Sequence, residues 1–182
     1  MNFLDDADLD RANSYALFSP LFLREPDEET LVRIKELFEI KFGDSSDEIR
    51  KDFSYLFPEA GGRLPPYESL YNYPLSDKPR LWGPATAEVQ TLYESAGITL
   101  AEEIELIPDH LSAELLFMSY LIENRLTEQQ KFFLEHHLLA WVPDYCDEIK
   151  RVAWTSFYKR VAELLTELIL DECEEFGIDT DQ

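Results

Sequence analysis

From Leu111 to Ile122 the chain reads Leu-Ser-Ala-Glu-Leu-Leu-Phe-Met-Ser-Tyr-Leu-Ile, a run too apolar for the surface of a helical protein. On a helix, Leu111, Leu115, Met118 and Ile122 form one stripe, and Leu116, Phe117 and Leu121 widen it. A stripe of that width means a helix buried on most sides, so other helices have to surround it. The sequence predicts an all-α, single-domain bundle of about seven to nine helices over residues 1–182. No sustained period-two alternation and no internal repeat competes with that reading.

The helices are punctuated by local chemistry. Asp8 to Leu23 carries apolar residues at 9, 12, 16 and 23, with Pro20 predicting a kink or break. Asp27 caps a run that sets Leu31, Ile34, Phe38 and Phe42 on one face and stops at Gly43. Ser45 or Ser46 opens the next helix, with Ile49, Phe53, Leu56 and Phe57 inward and Pro58 closing it. Six prolines and three glycines then mark residues 58–84 as a long ordered loop with one short helix at Tyr67 to Asn72. Tyr67, Tyr71, Tyr73 and Trp82 make this loop too aromatic for a linker, so it pins one domain across its middle. Pro84 starts a helix that runs to Ala96 and ends at Gly97.

After an acidic connector (Glu102, Glu103, Glu105) the apolar helix runs from Asp109 to about Asn124. Thr127 and Gln130 form a capping box for the next helix, which Pro143 ends. Asp144 caps a short helix to about Ala153. Thr155 begins the last helix, with Tyr158, Val161, Leu165, Leu168 and Ile169 inward. Acids at 171, 172, 174 and 175 oppose its dipole, so the tail from about 171 to 182 is expected to fray.

Composition narrows the class. A content of 45% hydrophobic and 13% aromatic residues excludes disorder. The net charge of −22, from 38 acids against 16 bases, repels nucleic acid and anionic membrane and attracts cationic partners. Acids occupy the N-terminus where a secretory leader carries bases, and no apolar run approaches the ~20 residues that span a bilayer. A cytoplasmic protein with no membrane insertion is expected. Cys146 and Cys173 form no CxxC pair; they read as reduced thiols, with a disulfide left open. The nucleotide motifs GxxxxGKS/T and GxGxxG, and the HExxH zinc motif, are absent, so neither a cofactor nor a metal is expected.

Residues capable of chemistry gather at the start of the apolar helix. Asp109 sits where an N-cap belongs, its carboxylate able to accept the amide of Leu111 or Ser112. His110 lies in the first turn, where the dipole favours a neutral ring. Such a pair could begin the acid–base chemistry of a small hydrolase or transferase, but no nucleophile stands at a defined spacing. His136 and His137 are ~100° apart on a helix and cannot chelate one metal together. His137 shares a face with Trp141 and reads as an interior histidine packed on the indole.

Taken in order, several strings resemble a known family. They are Leu56-Phe57, Pro65-Pro66-Tyr67-Glu68-Ser69-Leu70-Tyr71, Pro108-Asp109-His110 with Glu114 to Met118, and His137-Leu138 with Trp141. Arg11 to Tyr15 followed by Leu21-Phe22 extends the likeness over nearly the whole chain. Together they look like the redox enzyme maturation proteins, the TorD/DmsD/NarJ type of cytoplasmic chaperone. The resemblance implies a non-enzymatic, all-helical protein that binds the N-terminal leader of a molybdopterin-containing oxidoreductase. It would hold the apo form for cofactor insertion before export by the twin-arginine route. A NarJ-like assembly factor for a catalytic subunit that is not exported is the alternative. Carried over by position, the leader groove would involve Leu56, Phe57, Pro66, Tyr67, Ser69, Asp109, His110, His137 and Trp141. Tyr67 departs from the tryptophan of some members, which leaves the client open. Relatives occur as monomers and as domain-swapped dimers. Physically, Asp109, Glu68 and Glu114 are candidates to receive the leader's arginines, and the aromatic loop its apolar part.

Overall fold

The fold was obtained as a computed structural model and describes residues 5–39, 41–58, 61–98 and 106–180. Among these residues the elements are α1 (Asp6–Phe18), α2 (Pro20–Leu23), α3 (Glu28–Leu37), α4 (Ser46–Leu56), a 3-10 turn (Glu68–Leu70), α5 (Pro84–Ser95) and α6 (Leu111–Glu123). There follow α7 (Thr127–Phe133), a π-helical turn (Leu134–Leu138), α8 (Leu139–Val152) and α9 (Ser156–Phe176). The all-α expectation holds. The acidic connector at 102–105 lies outside the described residues.

Most helix starts use the caps written locally. Asp27 accepts the amide of Thr30 at 2.8 Å, and Ser45 exchanges side-chain and backbone bonds with Glu48 in a full capping box. Pro84 occupies the first turn of α5, and Thr155 caps α9. Three helices end alike. Arg125, Gly97 and Gly177 take the left-handed conformation (φ 55°, 81° and 63°) after α6, α5 and α9. In each case the following amide reaches back five residues to Leu121, Tyr93 or Cys173.

The apolar helix α6 forms the centre. Leu111, Leu115, Met118, Leu121 and Ile122 are all 0–1% exposed, as the pattern predicts, whereas Leu116 is half exposed. α1 packs along α6, α8 along α9, and α4 against α9. Asp52, fully buried on α4, accepts the amides of Trp154 and Thr155 and the Thr155 hydroxyl, so it locks α4 to the start of α9. The 58–84 loop is pinned as expected. Arg63 and Leu64 donate to the carbonyls of Tyr55 and Leu56, and the Tyr145 hydroxyl donates to Leu64 at 2.8 Å. Gly62 allows the tight return, because a Cβ there would sit 2.3 Å from the Pro58 carbonyl oxygen.

Several boundaries differ from the sequence pattern. The inner face of α1 is Ala12, Tyr15, Leu17 and Phe18, while Leu9 and Leu23 are nearly half exposed. α3 ends at Leu37 because Glu39 turns left-handed, leaving Phe38 and Phe42 to pack from outside the helix. Thr127 and Gln130 form no capping box: Thr127 lies inside α7, and the Gln130 side-chain Nε2 donates to the Leu121 carbonyl at 3.0 Å. Pro143 does not end a helix, nor does Asp144 start one; both lie within α8, which the π turn joins to α7. Burial of Trp141, Val142, Tyr145 and Cys146 outweighs the one hydrogen bond that Pro143 removes. The acidic end of α9 stays helical to Phe176, closed by Gly177 and tied to α1 by Arg11, whose guanidinium bonds Glu172 at 2.5 and 2.8 Å. Cys146 and Cys173 are free and buried, and burial raises both thiols, to about 12 and about 11.

Candidate functional site

The 3-10 turn, the starts of α5 and α6 and the π turn converge on a buried polar cluster. Glu68, Asp109 and Glu114 are each 0% exposed, and His137, Ser69 and Thr86 are buried beside them. Asp109 accepts the Ser69 amide at 2.8 Å and the Thr86 hydroxyl at 2.9 Å. Its own carbonyl takes the Glu68 amide at 2.9 Å, and the Leu111 amide donates to the Pro66 carbonyl at 2.9 Å. Asp109 therefore holds the loop rather than capping α6, because the loop supplies donors that a local reading cannot see.

The cap is His110. Its Nδ1 accepts the Ser112 amide at 3.1 Å, which requires a neutral ring with the proton on Nε2. Burial lowers its pKa to about 4. The ring meets Tyr67 edge-on at 4.9 Å. Since Asp109 and His110 turn to different partners, they make no acid–base dyad.

Glu68 faces His137, whose Nδ1 lies 2.9 and 3.1 Å from its two oxygens, and Glu68 Oε1 also accepts the Asn72 side-chain Nδ2 at 2.6 Å. Glu114 accepts the indole N–H of Trp141 at 3.1 Å. Burial, with Glu68 and Asp109 close by, pushes the Glu114 carboxyl well above the usual range and favours its protonated form. His137 stacks on Phe133 at 5.1 Å, not on the indole, and Trp141 stacks on Tyr71 at 5.5 Å. The π turn sets His137 there; such widened turns frequently mark functional positions. Among the described residues, no group of three or more His, Cys, Asp or Glu could hold a metal ion.

Of the nine residues expected at a groove, Pro66, Tyr67, Ser69, Asp109, His110, His137 and Trp141 come together. Leu56 and Phe57 lie at the end of α4, where Phe57 packs against Phe22, Phe53 and Tyr158. All nine are buried, as are the three candidate arginine-receiving acids. His137, itself only 1% exposed, connects the cluster to a surface groove. With Ala87, Glu88, Thr91, Leu92, Phe132 and His136, it lines an apolar groove of about 360 Å³ between α5 and α7. Phe132 is 46% exposed and stacks on His136 at 4.3 Å. Sequence reasoning missed this rim. The available signal was an aromatic, Phe132, on the face of α7 that its charges mark as solvent-facing. A wider groove of about 710 Å³ near Tyr55 and Trp154 carries Glu25 and Asp47 against Arg50 and Lys51, so it offers a basic peptide no net attraction.

A family model described as nitrate reductase delta subunit matches residues 23–147, a span that contains the whole buried cluster. The chain belongs to this family. Among its relatives, the chaperone protein TorD of Psychrobacter sp. (strain PRwf-1) is 28% identical over 169 residues, covering 87% of this chain and 75% of that protein. The chaperone protein TorD of Vibrio parahaemolyticus is 30% identical over 138 residues, 67% of this chain and 61% of its own length. A crystal structure assigned as a redox enzyme maturation protein from Archaeoglobus fulgidus shares the fold, with a TM-score of 0.61 at 21% identity over 87% of this chain and 93% of that one. The TorD relatives are named chaperones, not catalysts, in keeping with a cluster that holds His137 against Glu68. No helix among the described residues is long and apolar enough to cross a membrane.

Proposed function

We propose that this chain is a cytoplasmic chaperone that binds the N-terminal leader, of the twin-arginine kind, of a molybdopterin-containing oxidoreductase. It holds the apo form while cofactor insertion proceeds. The observation that carries this reading is the apolar groove between α5 and α7, floored by a histidine that a buried carboxylate fixes in place. A preorganised apolar groove suits the helical or extended apolar part of a leader. The net charge of −22 speeds the approach of a basic segment, an effect that fades with salt. Beneath the groove, Glu68 holds His137 and Asp109 holds Thr86 at the start of α5, while Pro66, Tyr67, Ser69, His110 and Trp141 belong to the same buried cluster.

The test is calorimetric titration of the purified protein with synthetic leader peptides from molybdoenzymes, against Phe132→Ala and Leu92→Ala. Binding to wild type, weakened about tenfold by Phe132→Ala, is expected for an apolar anchor of this exposure. Absence of binding to every leader at low salt would sink the proposal. The family description favours one second reading: assembly of a catalytic subunit that is not exported. In that case an N-terminal segment without paired arginines binds as tightly as one with them.

A further inference from the structure

We propose that a second trough, between α8 and α9, receives the basic residues of the same peptide, which makes the site bipartite across His136. This rests on the leader-binding reading above. The trough encloses about 370 Å³ and adjoins the apolar groove, with His136 lining both. Leu139, Ala140, Pro143 and Leu170 give it apolar walls, and Leu170 is 38% exposed. Its charges are of one sign: Glu135 and Asp144, both exposed, with Asp179 beside them and no Lys or Arg among the described lining residues.

Two features fit a guanidinium in particular. Pro143 has no N–H to give the carbonyl of Leu139, four residues earlier, and both residues line the trough. A helix carbonyl that Pro143 cannot serve, in a trough also lined by carboxylates, matches a fork of N–H donors better than a compact ammonium. The order of the two cavities also suits an arginine pair followed directly by an apolar stretch, since only the π turn and its His136 separate them. The acids expected from sequence to receive arginine, Glu68, Asp109 and Glu114, are fully buried and already bonded within the protein, so Glu135 and Asp144 take that role here.

Fluorescence anisotropy decides it, with a labelled synthetic peptide bearing Arg-Arg before a Leu/Ala segment and an Ala-Ala counterpart. The double variant Glu135→Gln/Asp144→Asn is expected to bind the Arg-Arg peptide about fivefold to tenfold more weakly at low salt. For the Ala-Ala peptide it should differ from wild type by less than about twofold. Unchanged Arg-Arg binding by this variant, with Phe132→Ala still weakening it, overturns the second trough but leaves the apolar groove standing. If wild type binds neither peptide, both proposals fall.

Discussion

Replacing His110 with Asn removes the titratable ring from the start of α6 while leaving a side chain that caps helices well. The wild-type ring is neutral because its Nδ1 accepts the Ser112 amide and because burial lowers its pKa to about 4. An unfolded histidine takes up its proton near 6.5. The stability that follows is fully present above pH 6.5 and is lost as the pH falls towards 4, since the unfolded chain protonates first. The gap between those two values amounts to about 3 kcal/mol, of which about 2 kcal/mol disappears between pH 7 and pH 5. For a chain of this size that is a fall in Tm of about 4 to 7 °C. Thermal unfolding followed by circular dichroism at both pH values, for wild type and His110→Asn, isolates the effect because the other acids titrate alike in both. The Tm of wild type should fall by that much more than the variant's. Equal pH slopes would refute a neutral, buried cap at His110.

Asp109→Ala strips the acceptor from the Ser69 amide and the Thr86 hydroxyl, both buried, and should cost about 3 kcal/mol or more. A urea midpoint within error of wild type would show that these bonds do not hold the loop. Glu114→Gln addresses the opposite pH range. Because the folded Glu114 carboxyl titrates above its unfolded value, its stabilising effect is complete at low pH and is lost as the pH rises past the unfolded range. The glutamine variant should therefore gain Tm relative to wild type as the pH rises above about 4.5. A relative loss over that range would contradict a protonated Glu114.

Much of the helix layout was legible because caps and stops act over a few residues. Asp27, Ser45, Pro84, Gly97 and Thr155 all work where the pattern places them. The failures share a cause. The role of Asp109 depends on Ser69 and Thr86, 40 and 23 positions away, and that loop leaves the capping bond to His110. The continuity of α7 and α8 through Pro143 depends on burial against α9, which no local rule contains. At the site, the identity of the clustered residues was readable but their depth was not. Acids normally sit in water, and only the assembled fold shows Glu68, Asp109 and Glu114 at zero exposure.

That depth gives Glu68 a role separable from plain stability. Both of its oxygens lie against His137 Nδ1, and Oε1 also accepts from Asn72. Glutamine offers one acceptor oxygen and turns an N–H₂ towards one of those two donors, so Glu68→Gln leaves either His137 or Asn72 badly paired. The loss should be about 1 to 3 kcal/mol, comparable with that at Asp109. The two variants differ in what they release. Asp109 holds the Ser69 amide and the start of α5, whereas Glu68 holds a ring that lines the groove. At a temperature where both variants remain folded, Glu68→Gln should weaken leader binding severalfold more than Asp109→Ala, and the His137 ring resonances should shift in the first variant only. Equal losses of affinity would reduce the Glu68–His137 pair to a stabilising contact, and the groove would then owe its shape to α5 and Phe132 alone.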